Sequence, residues 1–220
     1  MSLYPIFTTL LLLFSLTGRD QNPGLSSGKA QIAYLDGNAF IQRNITGRGV
    51  RIAVLDGGFP GVDTIAGLHH LVTRGQIKAT WDFVRNREDV YHGAWHGTAV
   101  LSCIAGRYGD QSLGLSPDAE FLLALTEKKG EPLSEEINFA HAVDWAIENG
   151  ADIIQSSLGY TYQRYFPADL DGRHSIAAKA VAKAARQGIL IVNCNGNEGM
   201  SKWRTLVTPA DADSILSVGA

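Results

Sequence analysis

Residues 50–58 read VRIAVLDGG: a short apolar run that ends in a carboxylate and two glycines. Such a run lacks the polar alternation of a half-exposed strand. It suits a strand of a parallel sheet, buried on both faces. The pattern of Val50–Leu55 recurs at Glu120–Leu125, Ala151–Ser156, Ile189–Asn193 and Ile215–Val218. Between these runs lie longer amphipathic stretches at His96–Ala105, Ser134–Asn149 and Ser175–Gln187. Gly106, Gly150 and Gly188 follow them, where a helix commonly stops on a left-handed residue. Glu135 and Glu136 fall in the first turn of the second helix, favourably for its dipole. Strand and helix in alternation predict an α/β fold, a mostly parallel β-sheet flanked by helices. Ligands of such sheets bind beyond the carboxyl ends of the strands. Asp56, Ser157-Leu158-Gly159 and the stretch from Asn195 to Gly199 each follow such an end.

The 220 residues, 45% apolar and 19% charged, suffice for one medium domain with a real core. A net charge of −3 with mixed signs offers no basic footprint for nucleic acid. Residues 1–18 carry no charged side chain, and their run Ile6–Leu16 is too short to span a bilayer, which takes ~20 apolar residues. They read as a signal peptide, which makes the protein secreted, periplasmic or surface-bound, with no stable membrane insertion afterwards. Residues 19–44 read as a linker or N-terminal extension, polar and turn-rich at its start, and 45–220 as the folded domain. Cys103 and Cys194 lie in apolar stretches and read as two buried free thiols, with a single bridge between them as the alternative.

Three residues could carry chemistry. A carboxylate that ends a buried strand, Asp56, can fix the tautomer of an imidazole and stabilise its protonated form, so that His96 acts as a general base. Asn197, between two glycines, can donate an amide hydrogen bond to a developing oxyanion. RIAVLDGG and HGTAVLSCIAG resemble the aspartate and histidine motifs of the subtilisin-like serine proteases, with Ala99 where many members have a second histidine. IIQSSLGY resembles their substrate-binding strand and NGNEG their oxyanion-hole segment. The order of acid before base is also the subtilisin order.

The resemblance implies a catalytic role for Asp56, His96 and Asn197, and a substrate-binding role for Ser157, Leu158, Gly159, Asn195 and Gly196. An extended peptide would add to the strand end at Ser157–Gly159. Tyr160 takes the place of a second glycine and would narrow the adjacent subsite. Thr208–Pro209 falls where the family often has a cis bond. The family's nucleophilic serine sits in a Gly-Thr-Ser motif downstream of the segment that ends here in SVGA, and no serine of this sequence has that context. The chain is therefore expected to hold the N-terminal two-thirds of such a domain and to be inactive alone. No cofactor and no metal ligand is expected, although structural calcium is common in the family.

Two other readings fail on the residues. LDGGFPG at 55–61 lacks the spacing of a dinucleotide-binding or Walker loop. His92 and His96 have metal-ligand spacing only on a helix, and Gly93 opposes one, while the glutamate of H-E-x-x-H is absent.

Overall fold

The computed structural model describes residues 23–128, 130, 132–161 and 164–219. The leader expected at 1–18 lies outside them. Six strands, β1 (Arg51–Asp56), β2 (Ile77–Asp82), β5 (Glu120–Leu125), β6 (Ile153–Ser156), β7 (Leu190–Cys194) and β8 (Leu216–Val218), form one sheet in the order β2-β5-β1-β6-β7-β8. Every pairing in it is parallel. A two-stranded antiparallel hairpin, β3 (Arg107–Tyr108) and β4 (Gln111–Ser112), stands apart. Asp56 pairs with Leu125, Leu55 with Ser156, and Ser156 with Asn193. This register brings the carboxyl ends of four neighbouring strands to one edge.

Alternate residues of the central strands face opposite sides, as their period of two requires. On one side Ala53, Leu55, Leu122, Ala124, Ile154 and Ile191 pack on α5 (Leu133–Glu148) and α6 (Ile176–Arg186). On the other, Ile52, Val54, Phe121, Leu123 and Leu125 pack on Phe59, Leu68, Leu71 and Leu101. Leu101 belongs to α4 (His96–Ala105). Helix α6 is built on alanine, with Ala177, Ala178, Val181 and Ala184 buried, so it approaches the sheet closely. Ser175 caps it by accepting the Ala178 N–H at 2.8 Å.

Three expectations change. The segment read as linker contains helix α1 (Pro23–Tyr34) and the short helix α2 (Asn38–Gln42). Proline is tolerated in a first helical turn, and Ile32, 4% exposed, anchors a stretch whose polar composition hides it. Strand β2 escapes the apolar-run criterion because it is an edge strand whose Lys78 reaches out to Glu120 at 3.0 Å. The cysteines are free, as read, but Cys103 is exposed and Cys194 only partly covered. Cys103 occupies the outer side of α4, whose buried face is Gly97, Thr98, Leu101 and Ala105. Among the described residues no helix is long and apolar enough to cross a membrane.

Candidate active site

Asp56 ends β1 with 1% of its surface exposed. Its Oδ1 accepts the Gly57 N–H at 2.7 Å. His96 opens α4, and its Nδ1 lies 2.9 Å from Asp56 Oδ2 and 3.1 Å from Oδ1. An ionised carboxylate only accepts, so the Nδ1 proton lies between the two groups and Nε2 keeps its lone pair. The imidazole remains 53% exposed and reachable by a substrate. Burial holds Asp56 above the usual carboxylate range, against the opposing pull of the Gly57 amide and of His96. Gly97 makes the close seating possible. A Cβ there would collide with the Gly58 carbonyl and come within 2.9 Å of Asp56 Cβ.

A cleft of about 260 Å³ opens at the carboxyl ends of β6 and β7. Ser157, Leu158, Gly159 and Tyr160 form one wall, and Cys194, Gly196, Asn197 and Glu198 the other. The structure thus brings together Ser157, Leu158, Gly159, Gly196 and Asn197. Val207 braces both walls. A Cβ on Gly159 would overlap it, and one on Gly196 would come within 2.6 Å of its Cγ1. Asn197 is exposed, and its side chain makes no capping hydrogen bond. Asn195 is not drawn into the cleft. Its N–H donates to the Val218 carbonyl at 2.7 Å, and its carbonyl accepts from Val207 at 3.0 Å.

The three-residue strand end is not uniformly available. The Leu158 N–H donates to Ser156 Oγ at 3.2 Å, and its carbonyl accepts from Asn193 Nδ2 at 3.2 Å. Ser157 and Gly159 make no backbone–backbone hydrogen bond among the described residues, which leaves them for a partner strand. Tyr160 does not close the cleft with its ring. It is 4% exposed and points beneath the floor, edge-on to Phe139 at 6.0 Å. Its backbone forms a bridge to Thr208, and the Thr208–Pro209 bond is cis. Residues 92–95 are not helical, so the H-x-x-x-H geometry does not form. His92 Nε2 instead lies 3.2 Å from Asp82 Oδ2.

Sequence reasoning missed a group of three carboxyls at and beneath the cleft, Glu127 partly buried and Glu135 and Glu136 fully so. Glu127 follows the carboxyl end of β5, where the strand-exit rule applied to three other strands would have found it. Its Oε1 accepts from Tyr160 Oη at 3.0 Å and from Thr126 Oγ1 at 3.0 Å. Glu127 also lines a second cavity of about 450 Å³, with Gly57, Asp82, Arg85, His92 and Lys128. Glu135 and Glu136 are 1% and 0% exposed, so neither is the surface residue its helix position suggests. Glu135 accepts the Lys128 N–H at 2.8 Å and faces Arg164 Nη2 at 3.3 Å.

Burial and the adjacent Glu135 carboxylate push Glu127 up to about 7. The unfolded chain, with an ordinary glutamate, releases this proton first. Stability is therefore expected to fall as pH rises from about 4.5 to about 7 and to level off above, by up to about 3 kcal/mol from this residue. Glu127→Gln removes the titration. Urea denaturation at about pH 5 and about pH 8 is expected to show a smaller loss in the variant than in the wild type. An equal loss in both proteins would contradict the assignment.

The subtilase family model matches residues 47–220. Subtilisin BL of Lederbergia lenta is 29% identical over 179 residues, covering 81% of this chain and 58% of that protein. The major intracellular serine protease of Bacillus subtilis is 30% identical over 189 residues, covering 81% and 53%. The minor extracellular protease Epr of the same organism is 27% identical, and only 24% of its length is matched. The chain thus spans about half the length of two of these curated relatives and about a quarter of the third. Among solved structures, MycP1 from the ESX-1 type VII secretion system superposes with a TM-score of 0.62 at 23% identity, over 86% of this chain and 56% of that one. The prenylagaramide maturation protease PagA gives 0.57 at 20% identity, over 90% and 58%.

Proposed function

The chain belongs to the subtilase family, and from that premise we propose that it forms the acid, base and oxyanion side of a serine endopeptidase site. The observation that carries this reading is the contact of 2.9 Å between buried Asp56 and exposed His96, at the same sheet edge as the cleft. In this reading Asp56 fixes the Nδ1 proton and stabilises the imidazolium. His96 Nε2 takes the serine proton and returns it to the leaving amine. Asn197 donates its amide to the tetrahedral oxyanion, a contribution worth ~10²–10³ in turnover. The substrate is an extended peptide that adds to the free backbone groups of Ser157 and Gly159, with Leu158 and Gly196 shaping the cleft.

Among the described residues no serine hydroxyl makes a hydrogen bond to His96, so the nucleophile is assigned to a serine outside the motifs quoted above. Without it the same cleft would bind peptide and leave it uncut. The apolar run Ile6–Leu16, read as a signal peptide, favours export, and one matched relative is an extracellular protease while another is intracellular. The test is hydrolysis of unfolded casein by the intact protein, meaning this chain together with the segment that supplies the nucleophilic serine. Cleavage abolished by His96→Ala supports the reading. Cleavage that survives the substitution, or its absence in the wild type, overturns it.

A further inference from the structure

Building on the peptide-cleft reading, we propose that the cleft between Ser157–Gly159 and Gly196–Glu198 selects a cationic substrate side chain, lysine or arginine, and that Glu127 is its principal determinant. The cleft holds about 260 Å³, room for one long side chain. Its wall contains Glu127, Glu135 and Glu198, and no lysine, arginine or histidine among the described residues. Among the described residues Arg85, His92 and Lys128 line the second cavity, which Glu127 also lines. Arg164 lies beneath the floor, 4.6 Å from the centre of the Tyr160 ring, and divides itself between Glu135 at 3.3 Å and Glu136 at 3.9 Å.

Arg164 thus serves the buried Glu135 and Glu136, while the partly buried Glu127 is held by hydrogen bonds from Thr126 and Tyr160. Burial beside Glu135 then keeps a proton on Glu127 near neutrality. An entering ammonium or guanidinium brings the second positive charge, and ionised Glu127 becomes its acceptor. Asn193, 1% exposed, donates through Nδ2 to the Leu158 carbonyl at 3.2 Å and to the Cys194 carbonyl at 2.9 Å. Leu158 and Cys194 stand on opposite walls, so this amide ties the two walls together from behind the lining. Its Oδ1 is buried without a hydrogen-bond partner among the described residues, an acceptor lacking a donor.

Asp56 and His96 are not among the residues that line this cleft, and Asp56 is committed to His96 Nδ1 at 2.9 Å. Tyr160 and Tyr165 stay neutral, their hydroxyls engaged by Glu127 and Glu136. An acidic side chain meets like charge here, and an apolar one gains only burial.

The test uses three peptide amides, acetyl-Ala-Ala-Ala-X-amide with X arginine, leucine or glutamate. Binding to the chain is followed by calorimetry, and contact by NMR shifts at Ser157, Gly159 and Gly196. The arginine peptide is expected to bind about tenfold more tightly than the leucine peptide at about pH 8, with glutamate weakest. The ratio is expected to fall several-fold at about pH 6, where Glu127 holds its proton more firmly, and about tenfold in Glu127→Gln. Equal binding of all three peptides, with shifts at Ser157 and Gly159, would overturn the cationic preference and leave the peptide cleft standing. Binding of none would overturn both. An arginine preference unchanged in Glu127→Gln would also overturn the assignment to Glu127.

Discussion

Asp56→Asn is expected to lower kcat of the intact protein by about 10⁴ while KM moves little. The asparagine keeps the shape of the site, and its carbonyl can still accept the Gly57 N–H that Asp56 Oδ1 accepts at 2.7 Å. Its amide nitrogen, however, offers a donor where the carboxylate has only acceptors. His96 Nδ1 lies 2.9 Å from Asp56 Oδ2, so facing a donor the ring takes the opposite tautomer. The proton then sits on Nε2, the nitrogen that must accept one from the nucleophile. Asp56 is 1% exposed, so water cannot restore the lost acceptor. The imidazolium formed in the transition state also loses its counter-charge. A drop of less than about tenfold, measured with a peptide ester and a peptide amide, would contradict the role given to Asp56.

The largest expected effect on stability comes from Glu136→Ala, a loss of about 3–5 kcal/mol by urea denaturation. Glu136 is fully buried in α5 and ties that helix to two other elements. Tyr165 Oη donates to its Oε1 at 2.8 Å, and the Ala177 N–H, in the first turn of α6, donates to the same oxygen at 2.9 Å. Arg164 faces its Oε2 at 3.9 Å. Alanine strips the acceptor from Tyr165 and from one of the amides that α6 cannot satisfy internally. It also opens a hole between the two helices and withdraws a carboxylate from a buried guanidinium. Such a loss is a large share of a typical stability of about 5–15 kcal/mol. Glu136→Gln keeps an acceptor and is expected to cost less than half as much. If the alanine variant loses under about 1 kcal/mol, the carboxylate does not hold α5 to α6.

Much of this fold is legible in the sequence, and the reason differs between elements. The runs at β1, β5, β6 and β7 declare themselves because interior parallel strands need apolar residues at nearly every position, while β8 keeps an apolar run although it is an exposed edge strand. Helices α5 and α6 stop before left-handed glycines, Gly150 and Gly188, as expected, whereas Gly106 after α4 is extended, and the Ser175 cap of α6 appears only in the structure. Strand β2 is hidden because an edge strand keeps polar residues on its open side, and α1 because one buried isoleucine among polar residues leaves little periodicity. The Asp56–His96 contact follows from motif order and from strand ends converging on one edge. The carboxyl group under the cleft does not. Glu135 and Glu136 read as residues that favour a helix start, and only the packing of α5 against α6 and the 160–165 loop turns them inward. The buried side of Tyr160 is equally a matter of tertiary packing. The freedom of Ser157 and Gly159, against the engagement of Leu158 and Asn195, depends on hydrogen-bond partners that no spacing rule supplies.

The central claim is that Asp56 and His96 activate a serine for attack, and a fluorophosphonate probe reads this most directly. The intact protein is expected to label at one serine, with the rate reduced by about 10³ or more in His96→Ala. Labelling at the same rate with and without His96, or no labelling of the intact protein, would contradict the account.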